Sequence, residues 1–199
     1  MLSPEEQLDV GQRLRDGDRG AWAALFENYS VPVWRLTAKL VGPDQASVAD
    51  IVQEVFLAAA RSARGFDTEH GTLWSWLFGI VHRQVSQYWR KAERAGRWRS
   101  LAESGKIDVA RMFESNDSPS ALEEQRELAD MVRRVLAEMP ADYAAYLTTK
   151  YFEDQSLEEL ADAFGGSIEA AKSKLARARR EFRSAFEKLV GSDKAAYLS

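Results

Sequence analysis

The chain contains no cysteine. It therefore builds no disulfide framework, no thiolate zinc site and no thiol nucleophile, which suits a reducing compartment. Histidine is scarce as well: His70 and His82 are the only two in 199 residues, too few for a histidine-based metal site. Long apolar runs are missing. Val55 to Ala60 spans six residues, against the roughly 20 needed to cross a bilayer. Met1 to Asp9 is acidic where a secretory signal is basic and then apolar. Neither export nor membrane insertion is expected, and a cytoplasmic location is. There is also no glycine-rich phosphate loop, no Ser-His-Asp ordering and no metal-ligand spacing, so the chain is not expected to be an enzyme or to hold a cofactor. The acidic pair Glu158-Glu159 serves a helix start better than a general acid and base.

What the chain does have is charge, unevenly placed. The formal total of −4 argues against an indiscriminate nucleic-acid coat. Read by segment, the balance is basic, acidic, basic. From Arg83 to Arg99 six cations stand against Glu93, and from Lys172 to Arg183 six stand against Glu181, a net +5 each. Between them, Glu114 to Asp130 carries a net −5. One such block reads equally well as a solvated helix face. Two of equal size, each ending a helical unit, point to a polyanion footprint.

All six tryptophans precede residue 99, and the polar stretch Ser100 to Ser120 follows. That break divides the chain into 1–97, a linker over 98–121, a second domain over 122–190 and a tail over 191–199. Apolar spacings favour helix throughout, with no sustained alternation of β-branched residues, so the expected fold is all-α: two small helical domains joined by a flexible acidic linker. In the first domain Ala21 to Val41 places Trp22, Leu25, Phe26, Tyr29, Val33, Leu36 and Leu40 at three- and four-residue steps, with Pro32 expected to kink or interrupt the run. Ser47 to Ala63 follows, with Ile51 and Val55 on one stripe. A loop over 65–71 leads to a long helix from Thr72, its cap, to Arg94.

The second domain carries the sharper signal. Ser156-Leu157-Glu158-Glu159 is a capping box opening a short helix, Gly165-Gly166 is a turn, and Ser167 caps a basic helix. Short helix, glycine turn, basic helix is a helix-turn-helix pattern. In such a motif the second helix enters the major groove, so short and polar residues belong at its start and cations on its flank. Lys172, Ser173 and Arg177 are the candidates for groove contacts, and Lys174, Arg179 and Arg180 for phosphate contacts. The first basic block differs because Trp74, Trp76, Tyr88, Trp89 and Trp98 interleave with its cations. Stacking faces beside cations suit single-stranded or melting nucleic acid. Helical spacing assigns Trp74 mostly to a core and leaves Trp76 and Trp89 open between core and surface. His82 reads as an ordinary helix residue.

Four segments in order resemble bacterial sigma factors of the extracytoplasmic-function (ECF) class: Gly17-Asp18-Arg19-Gly20-Ala21-Trp22, with Leu25, Phe26 and Tyr29 after it; Asp50-Ile51-Val52-Gln53-Glu54-Val55-Phe56-Leu57; Trp76-Leu77-Phe78-Gly79-Ile80 running into Tyr88-Trp89-Arg90-Lys91; and Lys172-Ser173-Lys174-Leu175-Ala176-Arg177-Ala178-Arg179 in the helix-turn-helix. The resemblance implies a factor that binds core RNA polymerase, through its β′ and β subunits, and directs it to promoter DNA. The first domain would melt and read the −10 element, and the second would read the −35 element. It also implies that Asp50, Gln53, Glu54 and Phe56 dock on β′. The loop from Phe66 through His70 to Thr72 would capture a flipped base, beside Trp76, Arg83, Gln87, Trp89, Arg90, Lys91 and Arg94. The −35 set is Ser167, Glu169, Lys172, Ser173, Lys174, Arg177, Arg179 and Arg180. An anti-sigma factor is an expected partner, and the acidic linker is expected to thread through polymerase. Arg83 and Gln87 stand where the family commonly has Asn and Asp, so the −10 base preference does not carry over. Ile168, Ala170 and Ala171 do the same for the −35 sequence. A different class fits the helix-turn-helix too: a stand-alone regulator whose first domain binds a partner.

Overall fold

The computed structural model describes residues 2–67, 71–94 and 119–196, apart from the side chains at 4, 119–124 and 191–196. Among the described residues every regular element is helical: α1 (Pro4–Arg15), α2 (Arg19–Val41), α3 (Gln45–Ser62), one 3-10 turn (Ala63–Gly65), α4 (Leu73–Arg94), α5 (Pro119–Glu138), α6 (Ala141–Phe152), α7 (Leu157–Phe164) and α8 (Ile168–Ala196).

Side-chain caps set most of the helix starts, each satisfying a backbone N–H that has no partner in the helix and contributing about 1 kcal/mol. Ser3 and Glu6 form a capping box on α1. Asp18 accepts from Ala21 N at 2.9 Å and Asp44 from Ser47 N at 3.2 Å. Thr72 accepts from Ser75 N at 3.0 Å, the cap expected for α4. On α7, Ser156 and Glu159 bond reciprocally at 3.1 and 2.7 Å. Gly165 and Gly166 then take φ of +75° and +127°, backbone that favours glycine. Ser167 closes the motif by accepting from Ala170 N at 3.2 Å.

Three elements depart from expectation. Pro32 lies inside an uninterrupted α2, since packing of the buried stripe through Leu25, Tyr29, Val33, Leu36 and Leu40 outweighs one lost hydrogen bond. Helix α5 begins at Pro119, inside the segment expected as linker, and α8 continues to Ala196 through the segment expected as tail.

Helix α4 is the axis of the molecule. Leu73, Trp74, Leu77, Phe78, Val81, Val85 and Trp89 are buried on it. It packs on α2 and α3 on one side, and on α5, α6 and α7 on the other. The buried residues of α1–α4 and α5–α8 consequently form one continuous apolar cluster. Phe164 joins the halves, with its ring centroid 6.2 Å from Phe78 and 5.0 Å from Tyr146.

Candidate nucleic-acid and partner interfaces

Three surfaces carry the residues singled out in the sequence. The first is the outer side of α3. Val48, Ile51, Val55 and Ala59 are buried, so the helical repeat turns Asp50, Gln53 and Glu54 to solvent. Phe56 is half-buried, and its ring lies 5.0 Å from Phe26 on α2. Phe26 is itself 56% exposed, which corrects its expected place in the core stripe. It stands one position off the register of Leu25, Tyr29 and Val33, and that offset was the available signal. An aromatic pair with Phe26 outermost, flanked by Asp50 and Glu54, suits a partner with apolar knobs and cations.

The second surface is the basic end of α4. Arg83, Arg90, Lys91 and Arg94 are exposed, while Thr72, Trp76 and Gln87 are half-buried. Two of the expected base contacts are corrected. Trp89 is buried at 5% exposure and donates its indole N–H to Leu40 O at 3.0 Å. Phe66 is also 5% exposed, its ring 5.0 Å from Trp76. Both pack the interior and offer no face to a base; helical spacing had left Trp89 open because a tryptophan fits either role. Trp74 is buried, as its spacing indicated. His70, with Arg97, Trp98, Arg99 and most of the acidic linker, lies outside the described residues.

The third surface is the outer face of α8. Ala171, Leu175 and Ala178 are buried against the fold, so Ser167, Glu169, Lys172, Ser173, Arg177 and Arg180 are exposed. Lys174 and Arg179 flank the buried stripe and are partly engaged. Lys174 pairs with Asp142 at 3.0 Å and lies over the Tyr146 ring. Arg179 bonds Tyr151 Oη at 2.7 Å. Beside this face, α5, α6 and the second half of α8 enclose a groove of about 840 Å³. Val132, Leu147, Phe152, Phe182 and Phe186 line it, with Arg179, Arg183 and Glu187 also on its walls. Nothing in the spacing of the sequence pointed to that groove.

Among the described residues no three His, Asp or Glu are placed to hold a metal, and no helix is long and apolar enough to cross a membrane. Perturbed titrating groups do not converge on a pocket. Burial pushes the Tyr29 phenol up to about 12, and the Glu153 carboxyl is raised by burial against the opposing pull of Lys39 and Arg35. These groups lie at different places in the packing, and neither faces a nucleophile.

A helix-turn-helix with an outward basic helix, joined to a second helical unit with its own partner and cationic faces, defines a DNA-binding transcription factor with two working halves. Residues 25–95 match the family model for sigma-70 region 2, and residues 129–182 match that for sigma-70 region 4, together more than half of the chain. The chain belongs to the sigma-70 family and is an ECF sigma factor. It is similar to the RNA polymerase sigma-H factor of Pseudomonas aeruginosa, 24% identical over 197 residues, covering 96% of this chain and 98% of that one. It is also similar to the ECF RNA polymerase sigma-E factors of Haemophilus influenzae, 25% identical over 181 residues (90% and 94% covered), and Escherichia coli, 25% over 185 residues (90% and 93%). A solved structure of CnrH in complex with the cytosolic domain of CnrY overlays with a TM-score of 0.47 and 19% identity, covering 92% of this chain and 97% of that one. The protein thus acts with core RNA polymerase in promoter-specific transcription initiation.

Proposed function

We propose that the factor works as two units, α1–α4 and α5–α8. The first docks on the β′ subunit through Asp50, Gln53, Glu54 and Phe56, joined by Phe26. It holds and melts the −10 element with Thr72, Trp76, Arg83, Gln87, Arg90, Lys91 and Arg94. The second reads the −35 element with the outer face of α8, where Lys172, Ser173 and Arg177 address base edges and Ser167, Glu169 and Arg180 stand beside them. Lys174 and Arg179 reach phosphates once released from Asp142 and Tyr151. The observation that carries this reading is the outward placement of the α3 and α8 faces, each opposite a buried stripe. RNA synthesis stays with polymerase, and the factor works in the cytoplasm, beside polymerase and DNA.

The groove beside α8 suits an amphipathic helix with acidic flanks, because its floor is aromatic and Arg179 and Arg183 stand on its walls. We assign it to a segment of the β subunit, in competition with an anti-sigma factor. Transcription by core polymerase with and without this protein tests the central reading. New, sequence-related start sites are expected only with it, and no new starts would overturn the assignment. A stand-alone regulator would bind its duplex unaided, whereas this factor is expected to hold duplex DNA weakly until polymerase joins it.

A further inference from the structure

Helix α1 supplies none of the residues of the three surfaces, yet one of its side chains breaks the pattern of the face it lies on. Val10 and Leu14 are buried at 5% and 1% exposure. Gln7 precedes them on the same stripe, at the spacing where a helix buries an apolar residue. A polar side chain in that place needs polar partners. Both ends of its amide have one: Gln7 Nε2 donates to Leu2 O at 3.1 Å, and Gln7 Oε1 accepts from Leu73 N at 3.2 Å. Leu73 is the first residue of α4.

The first N–H groups of a helix have no carbonyl of their own helix to meet. Leu73 is 0% exposed, so its N–H depends on an acceptor within the fold. Gln7 provides that acceptor from 66 residues away. The rest of the turn is closed locally. Thr72 Oγ1 accepts from Ser75 N at 3.0 Å, and Ser75 Oγ donates to Thr72 O at 2.8 Å. The packing is tight enough that a Cβ on Gly71 would stand 2.8 Å from Ser75 Oγ. Trp76 follows, its N–H bonded to Thr72 O at 3.1 Å.

Helix α1 is itself held at both ends. Ser3 and Glu6 close its start. Near its other end Arg13 pairs with Asp9 at 3.1 Å and with Asp18 at 3.3 Å, and Asp18 caps α2. The helix also packs against the 3-10 turn Ala63–Gly65, and the next residue, Phe66, lies against Trp76. In this way α1 braces the start of α4 against α2 and the end of α3.

We propose that Gln7 is a positioning residue for −10 recognition: through Leu73 N it fixes Thr72 and Trp76 where they hold the melted element. The inference rests on the −10 role given to Thr72 and Trp76 above. Gln7 acts through the backbone of α4 and not by contact with DNA.

The test uses the full chain with core polymerase and a forked template, duplex through the −35 element and single-stranded at the −10 element, from a promoter found by the transcript comparison above. Gln7→Leu suits both helix and stripe while removing the amide. Gln7→Glu keeps an acceptor, and its charge suits the start of α4. Gln7→Leu should bind the forked template roughly two- to tenfold more weakly, the reach of one lost hydrogen bond, with its affinity for core polymerase unchanged. Gln7→Glu should recover most of that loss. Hydrogen exchange at the Leu73 amide of the free protein should be faster in Gln7→Leu by about tenfold or more. Fork binding equal to the parent, or a Leu73 amide as protected as in the parent, overturns the inference. A joint loss of fork and polymerase affinity that Gln7→Glu does not mend makes Gln7 structural and overturns it too. Trp76→Ala separates the failures. If it leaves fork binding intact, the −10 reading falls and the inference with it, whereas a loss there beside an unaffected Gln7→Leu removes Gln7 alone.

Discussion

Helices α4 and α8 both carry exposed cations, Arg83, Arg90, Lys91 and Arg94 on the first and Lys172, Arg177 and Arg180 on the second, yet they are mounted in opposite ways. Buried residues surround much of α4, including two polar ones, His82 and Ser86, each 7% exposed. Helix α8 has a single buried stripe, Ala171, Leu175 and Ala178. Similar charge thus hides unequal access. The basic face of α8 lies open to solvent, whereas α4 carries the cores of both halves and leaves its cations on the small exposed part of its surface. On the function proposed above, the pattern of burial, more than the charge, separates the helix that would read duplex DNA from the one that would scaffold a melting surface.

The comparison breaks most visibly in stability. Leu77, at 0% exposure on α4, should lose about 2–5 kcal/mol when truncated in Leu77→Ala, seen as a lower denaturation midpoint. Lys172→Ala on α8 should stay within about 0.5 kcal/mol of the parent. Function should invert that order. Lys172→Ala and Arg177→Ala, with polymerase binding retained, should each cut −35-dependent initiation by about tenfold to a hundredfold, corresponding to about 1–3 kcal/mol per lost contact. If either variant denatured like Leu77→Ala, the single-stripe account of α8 would fail.

A smaller effect sharpens the place of α4 between the halves. Burial holds the His82 imidazole below its usual range, opposed by its hydrogen bond to Leu136 O, and Arg90 adds to the lowering. Arg133 and Arg134 belong to α5, the element that meets His82, and are paired with Asp130 and with Glu93 and Glu138. Above about pH 6.5 the imidazole is neutral whether buried or exposed, and its burial bears no protonation cost. As pH falls through that value an exposed His82 takes a proton that the buried one refuses, so the folded state weakens and the loss levels off below the depressed value. Stability to denaturant should therefore fall from pH 7.5 to pH 5.5 by more in the parent chain than in His82→Gln. An equal fall in His82→Gln would show that the burial of His82 does not set the response.

These contrasts mark where the sequence was legible. Caps and glycine turns are local, so Thr72, Ser156, Gly165 and Ser167 declared the helix starts and the helix-turn-helix directly. The exposed positions of α3 and α8 followed from the helical repeat. What depends on a second layer of packing did not follow. Trp89 fits core and surface alike, and Phe66 reads only as part of a base-capturing loop, until Leu40 and Trp76 are found against them. His82 looked ordinary because its acceptor, Leu136, lies 54 residues away. The groove beside α6 needs three helices to exist before it has walls.

The smallest effect concerns a buried polar group of the first half. Tyr29 is 0% exposed and its ring stacks 6.3 Å from Trp74, yet its hydroxyl finds no hydrogen-bond partner among the described residues. A phenol in that position has lost its water without gaining an acceptor, and the same burial pushes its ionisation up to about 12. Tyr29→Phe keeps the ring and its stacking while removing the stranded oxygen. Stability should be unchanged or higher by up to about 1 kcal/mol, measured by denaturant unfolding. A loss of more than about 1 kcal/mol would show that the hydroxyl bonds within the fold. The core around α4 would then be partly polar at its centre, and its contrast with the purely apolar stripe of α8 would extend from access to chemistry.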